Sequence, residues 1–369
     1  MDFPDSMSIE EAFAKAEAEA KLDAALKECE ERFSNAELPN RLNEDWRFGR
    51  PHKYAQEFIR SLNAGTTPCG EAWVDKDQGC AVRLSEEDAD LRQTEMLMPT
   101  IGSDALLAQH LQHFGTGYAL YIEEDTKGPI RLNYESAGTL APSTFIMVAP
   151  GIKAEVEITY ACRENGLIFG TCNIQVAESA ELKVKASATG TGRCMLINNI
   201  QNMGGKVRHL TSFDGLEWAR EETVAEIYAP QSDIQLYSAN KPGDSAVLDQ
   251  HTKQIHHVGG ATSNLLYKNV LDGNATATFA GNIYVAPGAH NTDAYQSNRN
   301  LMLSEDATVN SLPGLEILAD KVRCSHGSAS GPMDEEQLFY LLSRGIPETD
   351  AKQLISTGFL AEAVDKFEA

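Results

Sequence analysis

Two kinds of hydrophobic pattern divide the chain. Up to about residue 125, apolar positions recur at helical spacing. Leu22, Leu26, Cys29 and Phe33 fall four, three and four residues apart and line one face of an amphipathic helix. Ser8 followed by Glu11 forms a capping box ahead of it. A further helix is expected over about 101–113, ending near Gly115. From about 130 to 322 this spacing gives way to short alternating runs: AEVEITYA (154–161), AELKVKASA (180–188), NATATFAGNIYV (274–285) and DATVNSLPGLEIL (306–318). Alternation with a period of two marks half-buried strands. Corners at Asn274-Ala275, Gly288-Ala289 and Asp306-Ala307 lie 14 and 18 residues apart. Such near-even spacing fits the coils of a β-solenoid better than the looser turns of a β-sandwich.

Helical signals return near residue 332. Asp334 is placed to cap a helix carrying Leu338, Phe339, Leu341 and Leu342 and ending at Gly345. Thr349 and Asp350 are expected to cap a second helix, which Gly358 stops, leaving a short last helix over 360–368. The expected organisation is a helical or mixed region over 1–125, a β core over 126–331 and a C-terminal helical domain over 332–369. About 35 residues build little core of their own, so the last domain must dock on the β region or on another protein.

Composition narrows the function classes. Lys and Arg total 31 and Asp and Glu 54, a net charge of −23. A nucleic-acid backbone needs a basic face, and an anionic membrane surface attracts basic segments; neither is an expected partner. No run approaches the ~18 consecutive apolar residues of a membrane helix. The acidic start MDFPDSMSIEEAF has no basic, apolar leader pattern, so a reducing cytoplasmic setting is the expectation. Seven cysteines (29, 69, 80, 162, 172, 194 and 324) form no CxxC pair, which argues for thiols rather than a disulfide framework.

Candidate chemistry is sparse. There is no GxxxxGK[ST] phosphate cradle, and Gly190 and Gly192 lack the third glycine of a dinucleotide loop, so no nucleotide is expected on this chain. Gly327–Gly331 has Ala329 where a nucleophile elbow needs serine. His110 and His113 stand three apart on a helix and read as a solvated or capping pair. His256 and His257 are adjacent and face opposite sides of a strand. Cys162, Cys172 and Cys194 read as small core fillers. The polar run Asp293, Gln296, Asn298, Arg299 and Asn300 suits inward amide ladders. The strongest local chemistry is Cys324-Ser325-His326-Gly327. On a strand, Cys324 and His326 project together, a thiol beside an imidazole. That is half of an iron, zinc or iron–sulfur site, since such centres want about four ligands. The rest must come from another subunit or from sulfide, unless the pair is structural.

The stretch Thr292–Pro347, with QSNRNLMLS, LEILADKVRCSHG and DEEQLFYLLSRGI inside it, resembles the SufB/SufD family of iron–sulfur cluster assembly proteins. LLYKNVLDGNATATFAGNIYVAPGA and the Glu44-Asp45-Trp46-Arg47-Phe48 motif are similar to the family as well. SufB chains carry a glutamate on each side of the histidine. Here the flanks are Ser325 and Gly327, preceded by Cys324, an order that resembles the SufD branch. The resemblance implies a mainly β fold, a right-handed parallel β-helix flanked by N- and C-terminal helical domains. It implies a non-catalytic scaffold that pairs with SufB through the β-helix and binds the ATPase SufC through the C-terminal domain. His326, with Cys324 beside it, would ligate iron or a transient cluster at the SufB interface. Gln337, Phe339 and Tyr340 would sit on the SufC-docking helix. ATP-driven pairing of two SufC subunits would then be carried through residues 334–368 into that interface. The alternatives are a SufB-like homodimer that accepts sulfur on Cys172 or Cys194, and a solenoid enzyme acting on polysaccharide.

Overall fold

The computed structural model describes residues 24–40, 42–48, 54, 56–57, 59–61, 70–74, 81–83, 89–112 and 116–369. The expected capping box at Ser8 and Glu11, and Leu22, His113, Cys69 and Cys80, lie outside them. Leu26, Cys29 and Phe33 do fall on one face of a helix spanning 24–34, with Cys29 buried.

The chain coils into a β-solenoid with two walls. One wall stacks nine strands: β1 (Gly70–Val74), β4 (Ile130–Ser136), β7 (Lys153–Cys162), β9 (Glu181–Gly190), β11 (Lys206–Asp214), β13 (Asp233–Asn240), β15 (Thr262–Leu271), β17 (Asp293–Met302) and β19 (Arg323–Pro332). The other holds ten. It starts at β2 (Ala81–Arg83), β3 (Gly117–Ile122) and β6 (Ser143–Val148), with the two-residue β5 (Thr139–Leu140) beside the next strand. It continues through β8 (Leu167–Val176), β10 (Arg193–Asn202), β12 (Trp218–Ile227), β14 (Val247–His256), β16 (Thr276–Val285) and β18 (Thr308–Ile317). From β6 on, the long strands alternate between the walls, and each pairs in parallel with the strand one coil on. Arg193 aligns with Trp218, 25 residues later, and Thr276 with Thr308, 32 later. The 14- and 18-residue spacings of the sequence are therefore half-coils, and their alanines 275, 289 and 307 are buried at corners. Among the described strands, only β1 and β2 join antiparallel, onto β4 and β3. Strands β1, β2 and β3 fall inside the stretch whose periodicity reads as helical.

One corner repeats a left-handed residue in coil after coil: Ser179, Gln231, Asn291 and Lys321 all have φ between 56° and 64°, and Gly260 sits at 69°. Backbone bonds tie the column together, such as Gln231 N–H to the Gly260 carbonyl at 2.9 Å.

The two walls differ outside. Helices Ala89–Met96 and Asp104–Leu111 and the segment around Trp46 lie on the second wall, where Trp46, Met98, Leu106 and Leu107 pack against Leu167, Phe169, Met195 and Trp218. Strands β8, β10 and β12 are buried on both faces as a result. The first wall faces solvent at β7 and β9, which alternate buried and exposed positions.

The helix expected over 101–113 is shorter, Asp104–Leu111; Gly102 before it has φ 77°, outside the helical region, and the Ser103 hydroxyl donates to Glu222 rather than capping. The C-terminal expectation needs a larger correction. Asp334 does cap Glu335–Ser343, accepting from the N–H groups of Glu336 and Gln337. However, Gly358 stops nothing, and Thr349 and Asp350 cap nothing. One helix runs from Glu348 to Glu368 with Pro347 at its N-cap. A glycine inside a helix costs about 1 kcal/mol, and docking overrides it. Ala363 and Phe367 pack on Leu210, Tyr237 and Leu266 of the first wall, and Lys268 reaches Glu362 at 2.6 Å.

Candidate functional site at the open end of the solenoid

Inside the coil, side chains stack in columns set by the strand register. On the first wall the inward column changes from Val184 and Ala186 through Leu236 and Ser238 to Gln296 and Asn298, all buried. A polar file runs along it. The Asn240 amide donates to Asn269 at 2.7 Å, Asn269 to Asn300 at 2.8 Å, and Asn300 to the Ser330 hydroxyl at 3.1 Å. The amide ladder expected from the run 293–300 is present, with Asn300 as a rung.

The file ends on β19. Cys324 aligns with Ala294, and His326 with Gln296. Ala294 and Gln296 are each 1% exposed. Cys324 and His326 continue the same inward column, but no described strand stacks beyond β19. His326 is therefore exposed and Cys324 half-buried. The thiol rests against Ile283, Val285, Ala289 and Ala294. Burial there pushes its pKa up, a backbone hydrogen bond from Ala294 opposes that, and Asp293 adds to it; the net is upward. No hydrogen bond or ion pair holds the His326 ring among the described residues, so it is free to take a ligand. The pair is two donors on one strand face. Among the described residues no group of three or more His, Cys, Asp or Glu is placed to hold a metal ion.

The opposite wall ends as abruptly. Leu315 follows the inward column of Ile283 yet is 39% exposed, with Leu312 at 41% and Leu318 at 50% nearby. Leu315 is apolar because every earlier coil buries that position, and it is exposed because the stack stops.

A second exposed apolar group sits on Glu335–Ser343, which buries no residue. Phe339 is 71% exposed and Tyr340 57%, with Arg344 over the Tyr340 ring; Gln337 is also exposed. None of the three packs against the solenoid end.

The remaining candidates resolve otherwise. His110 is buried, not solvated. Its Nε2 lies 2.9 Å from Glu95, with the Ser143 and Thr171 hydroxyls also on that carboxylate. Serine and glutamate meet the same ring nitrogen, so this is no nucleophilic relay, which needs one partner on each nitrogen. His256 is buried against Ser263, whereas its neighbour His257 is outside beside Glu226. Cys162, Cys172 and Cys194 are core residues. Burial pushes the Cys172 thiol up to about 12 and Cys194 well above its usual range.

Sequence reasoning missed a buried charge network. Arg220, fully buried on the covered face of β12, pairs with Glu222 and Asp249 and donates to the carbonyls of Asp45 and Ile101. An arginine and a glutamate two apart in WAREETVAEI are its only signal. No described helix is long and apolar enough to cross a membrane.

A family described as "SUF system FeS cluster assembly, SufBD core domain" matches residues 131–359. The iron–sulfur cluster assembly protein SufD of Escherichia coli is 38% identical over 146 residues, 40% of this chain and 34% of that protein. SufD of Bacillus subtilis is 39% identical over 165 residues, 41% and 37% of the two chains. A SufBD family protein of Mycobacterium tuberculosis is 27% identical over 346 residues, 89% of this chain and 85% of that one. The chain thus spans about a third of the two SufD proteins' length and most of the mycobacterial one. With the family's core matched across more than half of its residues, the chain belongs to the SufBD family of SUF-system iron–sulfur cluster assembly proteins.

Proposed function

We propose that this chain is a non-catalytic, SufD-type scaffold that completes its site only with a partner. The observation that carries this is the half-site at the uncovered end: Cys324 and His326 on an edge strand, with the exposed Leu315 ending the inward column of the opposite wall. Two donors are too few for a cluster, and an open strand edge with apolar surroundings is a template for another chain. In this reading a SufB subunit abuts β18 and β19 and supplies the missing ligands. His326 ligates iron or a nascent cluster, with Cys324 as second ligand; both are cargo, held transiently. A metal ion would also favour the thiolate that burial disfavours. Without SufB, a second copy of the chain takes that place.

Phe339, Tyr340 and Gln337 form the docking face for the ATPase SufC, since aromatics this exposed on a capped helix are typical of interface anchors. The division into 1–125, 126–331 and 332–369, a right-handed coil and a cytoplasmic location belong to the same reading. The alternative, a homodimer accepting sulfur on Cys172 or Cys194, is disfavoured by the burial that suppresses both thiolates.

The test is co-expression with SufB and SufC, as wild type and as His326→Ala, followed by anaerobic reconstitution and measurement of iron and sulfide. Cluster loading should need the partners and fall sharply with His326→Ala. Full loading of the lone chain, regardless of His326, would overturn the reading.

A further inference from the structure

A cleft of about 400 Å³ opens on the outer face of the second wall, where the N-terminal cover stops. Residues 44–48 and 100–102 form its side, and β14, β16 and β18 its floor. That volume is in the range of small-molecule sites. It lies on the outer face of the sheet, whereas Cys324 and His326 continue the inner column of the opposite wall.

The floor is built from aligned, outward residues. Asp249 and His251 of β14 face Thr278 and Ala280 of β16, and Lys253 faces Asn282, with Leu312 and Gly314 beyond on β18. His251 is only 3% exposed, and its Nε2 lies 2.8 Å from Asp249. Asp249 is ionised, since Arg220 holds its other oxygen. The imidazole therefore donates through Nε2, and its neutral form leaves Nδ1 as an acceptor. That Nδ1 is buried and has no partner. The Thr278 hydroxyl, on a residue 2% exposed, is also buried and unpartnered. Lys253 is half-buried with no ion pair, and the Asn282 amide makes no hydrogen bond, among the described residues. Buried polar groups are nearly always satisfied, and each exception needs an explanation.

The leftover groups define the ligand. A lysine, an amide and a hydroxyl suit a tetrahedral oxyanion, and in a chain of charge −23 an unpaired, half-buried lysine is conspicuous. The bare Nδ1 wants a donor, such as a sugar hydroxyl, and so do the Glu44 and Asp45 carboxylates along the side. Ala280 and Gly314 keep the floor low, and Phe48 and Leu312 offer apolar flanks. We propose that this cleft binds a phosphate group, free or in a small hydroxylated ester, through Lys253, Thr278 and Asn282, with His251 accepting from a hydroxyl of the ester.

The test is calorimetric titration of the full chain with ribose 5-phosphate, inorganic phosphate and ribose. Ribose 5-phosphate should saturate, and Lys253→Ala should weaken it at least tenfold with an unchanged melting temperature in the absence of probe. His251→Phe should weaken the ester and leave inorganic phosphate as it was. Equal affinity for phosphate and the ester, both lost with Lys253→Ala, would identify the free ion as the occupant and uphold the site. Asn282→Ala, further from the core, guards against a folding defect and should weaken both phosphate probes. No saturable binding of either phosphate compound, or Lys253→Ala binding like wild type, would overturn the proposal.

Discussion

The guanidinium of Arg220 lies 3.9 Å from the centroid of the Trp46 ring, and both residues are fully buried. The tryptophan is fixed in turn by its indole N–H, which donates to the Gly102 carbonyl at 2.8 Å. This is the rivet between the N-terminal segment and the solenoid. Removing a buried charge leaves its partners uncompensated, at a cost of about 3–5 kcal/mol. Arg220→Met should destabilise by that order in urea titration, because Glu222 and Asp249 stay buried without it. A loss under about 1 kcal/mol would show that the pair is not confined as described.

Glu95 makes a pH-dependent contribution. Burial alone would raise its carboxyl, but His110 and the Thr171 and Ser143 hydroxyls outweigh it and bring it below the ordinary glutamate range. A group depressed in the folded state stabilises above its unfolded pKa and loses that contribution as pH falls through the folded value. Glu95→Gln should therefore cost about 3 kcal/mol at neutral pH. The gap from wild type should close below pH ~4. Equilibrium unfolding at neutral pH and again in mild acid reads this directly.

Glu221 behaves in the opposite sense. It faces into the coil, fully buried, and its contacts are Thr211, Thr223, Gln250 and Tyr267, none of them cationic. Burial raises its carboxyl despite those hydrogen bonds. A raised acid favours the folded state while protonated and weakens it as pH climbs from the unfolded to the folded value. The stability of Glu221→Gln relative to wild type should improve as pH rises above about 4, the ordinary glutamate value. A difference independent of pH would refute this.

Gly358 offers a gain. It sits in the middle of the long C-terminal helix, exposed, and a Cβ there would meet nothing within 4 Å. Gly358→Ala should stabilise by about 0.5–1 kcal/mol, seen as a higher melting temperature.

What can be read from the sequence follows from which faces are wet. Strands β7 and β9 have one face in water, and AEVEITYA and AELKVKASA alternate plainly. Strands β16 and β18 lie beyond most of the N-terminal cover and are legible too. Under that cover, β8, β10 and β12 are buried on both sides. Runs such as LIFGTCNIQV carry no alternation to find. The thiol and imidazole are legible as a pair because a strand places i and i+2 together, and the family resemblance gives their significance. The Arg220 network is not, because its members come from β12, β14 and two separate loops, which only the fold brings into contact.

Each coil touches only the one before and the one after, so the stack melts from its ends rather than all at once. The last coil is bonded on one side only, and it is the coil that carries Cys324 and His326. Fraying that strand would leave the deeper asparagine rungs and the docked C-terminal helix in place. The residues with the most reactive chemistry thus sit where opening the backbone costs least, and a neighbour that clasps the end would both quiet that fraying and decide when the pair is presented.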